Sequence, residues 1–149
     1  MNKQLQSIVA VLAFATGAFA EAMNDPCDDE TRQCKLYTSD DYSGDYWHYC
    51  HETNWDTAEY TTGYSFDGQF QGAQLGSISC GGNIVVELCN GDYETWYNED
   101  KRMDQVHCAT ETYEVTYADD SFSAPANTAD SILLHELMYY CEFVDCSIF

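Results

Sequence analysis

His48, Cys50 and His51 are residue types that zinc takes as ligands. Their spacing does not bring them together, because on a strand His48 and Cys50 share one face while His51 points to the other. Cys50 also belongs to a set of eight cysteines whose even number points to disulfides. His135-Glu136 opens like the helix of a zinc protease, yet the second histidine of that motif would fall at Tyr139. The sequence carries no nucleophile-elbow glycines, phosphate loop or lone reactive cysteine. Nothing in the spacing of its 26 acidic residues sets two carboxylates across a cleft. The expectation is a protein that is not an enzyme.

Two further sets of residues could bind rather than react. Asp40, Asp41 and Asp45, with Asp119 and Asp120 further on, supply some of the roughly 6 to 8 oxygens that calcium requires. No obligate cofactor is expected, and calcium is the ion these carboxylates would suit. Trp47, Trp55 and Trp96, with Tyr49, could form a flat platform for sugar rings, or could fill the core of a small β domain. The dibasic pair Lys101-Arg102 offers a processing site, but it lies among Glu99, Asp100 and Asp104, where local charge balance explains it.

The compartment follows from the N-terminus. Lys3 precedes an uncharged stretch from Ser7 to Ala18 and the small-x-small pattern Ala18-Phe19-Ala20, which reads residues 1–20 as a signal peptide. The apolar core is too short for a bilayer span of roughly 20 residues. A secreted, extracellular chain keeps Cys27, Cys34, Cys50, Cys80, Cys89, Cys108, Cys141 and Cys146, which implies four disulfides. Spacing leaves their pairing open, although loop-closure entropy ranks Cys27 with Cys34 and Cys141 with Cys146 as the easiest loops. After cleavage only Arg32, Lys35, Lys101 and Arg102 face 26 carboxylates. Such a surface excludes nucleic acid and anionic membranes. The partner class left is an extracellular protein or a glycan, with solubility the plainer use of the charge.

Positioning these residues requires a set of short strands. Residues 21–32 read as an acidic extended arm tethered by Cys27. Residues 36–50, rich in Tyr and Trp and broken by Ser43-Gly44, read as a hairpin. Residues 51–74 read as a long loop or irregular strands. The run Ile84 to Cys89 after Gly81-Gly82-Asn83 is a strand, and residues 111–118 alternate as a half-buried one. Pro125 to Thr128 reads as a helix entry, and Ile132, Leu133, Leu137 and Cys141 recur near helical spacing, which predicts a helix over 129–140. The organisation expected is thus a β-rich domain over 33–120 and a helical C-terminal extension over 121–149.

Tyr37-Thr38-Ser39-Asp40-Asp41-Tyr42-Ser43-Gly44 resembles the aromatic, aromatic, glycine signature of the beta/gamma-crystallin Greek key. Gly76-Ser77-Ile78-Ser79-Cys80 resembles the serine-bearing segment that locks that hairpin. A second copy at Leu88 to Thr95 keeps only Tyr93, with no clear serine after it. The resemblance covers roughly residues 34–118 and implies a mostly β, Greek-key sandwich, disulfide-stapled and finished here by one C-terminal α-helix. It implies binding rather than catalysis, in a family that includes calcium-binding proteins, killer toxins and metalloproteinase inhibitors. The family's calcium positions are not kept, since the window Gly72 to Ser77 has no carboxylate and Asn98 to Asp104 mixes acids with two cations. The function expected is a secreted, non-catalytic binding protein of a defence, toxin-like or host-interaction kind, with carbohydrate or calcium binding as alternatives.

Overall fold

The computed structural model describes residues 21–52, 60–67, 69, 74–97, 103–142 and 145–147, with the backbone alone at 96, 97 and 103–105. The signal peptide read at 1–20, Trp55 and the pair Lys101-Arg102 lie outside the described residues.

The chain is mostly β, with antiparallel sheets and one short C-terminal helix. The Tyr-rich stretch folds back on itself as β1 (Gln33–Ser39) and β2 (Ser43–Cys50). Next come β3 (Thr61–Ser65), β4 (Ser77–Cys80) and β5 (Ile84–Asn90). A hairpin of β6 (Tyr93–Tyr97) and β7 (Met103–Cys108) precedes β8 (Glu111–Thr116), β9 (Ala118–Asp119) and β10 (Ser131–Glu136). The helix α1 spans Leu137–Tyr140.

Two four-stranded sheets run in the orders β2-β1-β4-β9 and β3-β10-β5-β8. Read from its other edge, the second becomes β8-β5-β10-β3, which repeats the first place by place. The N-terminal half thus gives three strands to the first sheet and β3 to the second, and the C-terminal half gives three to the second and β9 to the first. Leu36 and Ile78 of the first sheet are buried in one cluster with Val86, Leu88, Ile132 and Leu134 of the second.

The acidic arm is tethered as its cysteine implies, by a Cys27–Cys50 disulfide. Its residues 22–24 also close the open edge of β2. Ala22 bridges Tyr46 in parallel, and the Asn24 side chain brackets His48 through its backbone N–H (2.7 Å) and carbonyl (2.9 Å). The remaining bridges are Cys34–Cys80 across β1 and β4, Cys89–Cys108 from β5 to β7, and Cys141–Cys146 in the tail. The short tail loop closes, whereas Cys27 does not pair with Cys34. Cys34 is register partner to Cys80, and strand pairing overrides the entropic preference for a small loop.

The stretch read as a long loop or irregular strands contains β3, a polar edge strand with little apolar content. One expectation changes. The predicted helix over 129–140 is a strand through Glu136 and helical only over its last turn. The cause is burial on both faces: β10 lies between β3 and β5, with Ile132 and Leu134 in the sandwich core and Leu133 in a second cluster outside it. A strand buried on both sides reads as a continuous apolar run, which periodicity cannot tell from a buried helix. Residues 131–136 are therefore part of the sandwich rather than an extension.

The turn of the first hairpin is held from below. Asp41, Tyr42 and Gly44 take positive φ (56°, 56° and 79°), and a Cβ on Gly44 would lie 2.6 Å from the Thr38 hydroxyl. The buried Ser77 hydroxyl donates to the Ser39 carbonyl (2.6 Å) and accepts from the Tyr42 N–H (3.0 Å). The Tyr37 and Tyr42 rings meet edge to face at 6.0 Å. The second half has its own serine, which the sequence reading missed: Ser131 donates to the Gly91 carbonyl at 2.6 Å, and the Asp130 carboxylate accepts from the Gly91 N–H at 2.7 Å.

Candidate functional site

The outer face of the second sheet gathers polar side chains that lie far apart in sequence. Val85, Glu87 and Cys89 of β5 point outward by strand alternation, as do Leu133 and His135 of β10 and Thr61 and Gly63 of β3. The β6–β7 hairpin covers this face, pinned by Cys89–Cys108. Tyr93 lies so close over β3 that a Cβ at Gly63 would fall 2.5 Å from its ring, and its hydroxyl donates to the Gly63 carbonyl (3.1 Å).

Under this cover three side chains line up. His135 Nε2 lies 2.8 Å from Glu87 Oε1, and His135 Nδ1 lies 2.7 Å from the Thr61 hydroxyl. The Thr112 hydroxyl donates to the other Glu87 oxygen at 2.9 Å. An ionised carboxylate only accepts, so Nε2 carries a proton toward Glu87. Burial by itself pushes the Glu87 carboxyl up, but the hydrogen bond and charge of His135, helped by Thr112, outweigh it and hold its pKa below the ordinary glutamate value. Hydroxyl, imidazole and carboxylate are thus arranged as in a proton relay.

The relay is buried, although its Thr61 end borders a cavity of about 250 Å³ that Thr62, Tyr93 and Val106 also line. Thr61, His135 and Glu87 are 9%, 4% and 8% exposed, and the Tyr140 ring of α1 lies against the imidazole at 4.8 Å. Burial, together with the nearby Glu87 charge, pushes the Tyr140 hydroxyl up to about 12. Beside it, His51 Nε2 donates to the Tyr60 carbonyl (2.9 Å), and burial holds the imidazole's pKa below the usual histidine value. Sequence reasoning noticed His135 only as half of a failed zinc motif. Its partner is 48 residues away, and only the pairing of β5 with β10 brings the two together.

The residues singled out from sequence do not converge. Asp40 and Asp41 sit in the β1–β2 turn and Asp45 in β2, all exposed, and no group of three or more His, Cys, Asp or Glu side chains suited to a metal occurs among the described residues. Trp47 faces inward and packs against the core. Tyr49 is buried with its hydroxyl donating to Gln69 (2.8 Å), and burial drives its pKa up. Tyr49 presents no free ring face to a sugar, Trp47 is partly buried, and Trp96 is paired through its backbone with Gln105 on the separate hairpin. His48 and His51 bind backbone carbonyls or Asn24, and Cys50 is in a disulfide.

No family model matches the chain, and no curated protein or solved structure is significantly similar to it.

Proposed function

We propose that the chain is a secreted binding protein built on two crystallin-like Greek keys, acting through a rigid acidic surface rather than through catalysis. The observation that carries this reading is the contrast between a buried relay and an exposed acidic surface. The hydroxyl–imidazole–carboxylate series is buried with Tyr140 against its imidazole, and its Thr61 end borders a cavity beside the β6–β7 hairpin. The carboxylates of Asp25, Asp28, Asp40, Asp41, Asp45, Glu52 and Asp120, by contrast, stand in solvent. The crystallin-like reading is supported by the repeated strand order and by the two serines, Ser77 and Ser131, each tied to the hairpin turn of its own half. Four disulfides suit a chain that works outside the cell. A surface this negative selects a partner of opposite charge, and defence, toxin-like action or host interaction are the settings such a partner implies.

The test pairs a panel of ester, glycoside and peptide substrates with calorimetry against calcium and a set of basic proteins, and with a glycan array. No turnover, and heat from a basic protein that weakens as salt rises, is the expected outcome. Turnover lost in His135→Ala would overturn the non-catalytic reading, and heat from calcium alone or a response on the array alone would move the assignment to those ligands.

A further inference from the structure

The acidic arm lies along the outer edge of β2 as a short parallel strand. The Tyr46 N–H donates to the Glu21 carbonyl at 3.0 Å and the Met23 N–H donates to the Tyr46 carbonyl at 2.8 Å, on either side of the Ala22–Tyr46 bridge. At the next position a side chain replaces the backbone: Asn24 accepts from the His48 N–H and donates to its carbonyl. Pro26, with no N–H, ends the pairing, and Cys27 then ties the arm to Cys50. None of residues 21–31 is buried. Edge hydrogen bonds and the disulfide behind them hold this strap, rather than a share of the core.

The register makes the strap a poor occupant of that edge. With Ala22 opposite Tyr46, Glu21 falls beside Asp45, Met23 beside Trp47 and Asn24 beside His48. Glu21 and Asp45 are both exposed, and like charges opposite one another on paired strands are destabilising. Asp25 adds a second negative charge, and residues 21–26 contain no cation to offset either. Lys35 lies on the other face of β2, its Nζ 5.4 Å from the centre of the Tyr46 ring, so the place of Ala22 suits an uncharged residue.

We propose that the edge of β2 is a docking site for an extended basic segment of a partner protein, added to the sheet as a parallel strand in place of residues 21–24. The inference rests on the binding reading above and names where that partner is held. The edge already takes a strand, so peptide backbone is the chemistry it accepts. A Lys or Arg at the place of Glu21 faces Asp45 and turns a repulsion into an attraction. A continuous backbone at the place of the Asn24 side chain pairs with His48 directly. A second copy of this chain, formally −21, would instead bring two like-charged surfaces together. The strap ends before Cys27, so it can leave the edge with the Cys27–Cys50 bridge intact.

The experiment follows amide NMR shifts of the oxidised chain during titration with the acetylated, amidated peptide Lys-Ala-Met-Asn-Lys and, in parallel, its acidic counterpart Glu-Ala-Met-Asn-Asp. We expect saturable shifts at Tyr46 and His48 with the basic peptide and none with the acidic one. Asn24→Ala loosens the strap and should tighten the basic peptide roughly tenfold. Glu21→Lys pairs the strap with Asp45 and should weaken the peptide about threefold beyond Glu111→Lys, which makes the same change of charge on the exposed start of β8. Equal shifts with both peptides, or a Glu21→Lys affinity no lower than that of Glu111→Lys, would overturn the site. Self-association of Asn24→Ala in sedimentation, with the same two amides shifted, would give the edge to a second copy and overturn it as well. Heat from a basic protein with Tyr46 and His48 unmoved would overturn the edge site and leave the binding reading intact. Peptide binding at the edge without heat from any basic protein would support the site and count against the wider reading. If Asn24→Ala fails to fold, the comparison of Glu21→Lys with Glu111→Lys decides the matter alone.

Discussion

His135 and Glu87 satisfy each other, and neither is stable alone in its setting. Replacing His135 by Ala leaves a buried carboxylate facing only Thr112, so we expect a loss of about 3 to 5 kcal/mol, measured by urea unfolding of the oxidised chain. The pH dependence has two limbs of opposite sign. His51 is held by burial below its unfolded pKa, so on acidification the unfolded chain takes up a proton first and stability falls below the ordinary histidine range. The lowered Glu87 adds to that loss at still lower pH. Glu114 behaves oppositely. Burial and a hydrogen bond with Asp119 raise its pKa to about 8, so its contribution is complete below the ordinary glutamate value and is lost as pH rises toward 8. Glu114→Gln should flatten the loss of stability that accompanies rising pH between the ordinary glutamate value and about 8, and His51→Gln the loss below the ordinary histidine range; a curve unmoved by either substitution would contradict these assignments.

Elements were legible in the sequence where one face of a strand meets solvent or a turn announces itself. The β1–β2 hairpin was readable from Ser43-Gly44, and β8 from its alternation. The run Ile84 to Cys89 was recognised as a strand because Gly81-Gly82-Asn83 bounds it, whereas the equally apolar β10 follows a Pro-led turn that also suits a helix. The candidate site was hardly legible, because Thr61, Glu87 and His135 sit on three separate strands and acquire meaning only from register. The pinning serines permit a test at this scale. Ser77→Ala and Ser131→Ala each leave a hairpin carbonyl without its donor, at a cost of about 1 to 3 kcal/mol. Replacing Cys89 and Cys108 by Ser should cost about 2 to 4 kcal/mol and loosen the β6–β7 cover first, seen as faster amide exchange in that hairpin than in β5.

For the molecule as a whole, acidity and cross-links oppose each other. With 26 acidic residues against 5 basic ones, the folded state repels itself, and screening should relieve this. We expect the melting temperature to rise with sodium chloride, and a melt insensitive to salt would contradict that account.

The exchange of β3 and β9 between the sheets has a consequence for how the chain can be divided. Each disulfide joins two cysteines of the same half, Cys27–Cys50 and Cys34–Cys80 before the Gly81–Asn83 turn, Cys89–Cys108 and Cys141–Cys146 after it. No covalent link other than the backbone crosses that turn, yet each half lends the other an edge strand and one side of the core. Cutting there would yield two oxidised fragments, each lacking the strand it borrows and exposing its core face. Mixed together, they should recover the intact sandwich by complementation, as a heterodimer held only by exchanged strands and packing.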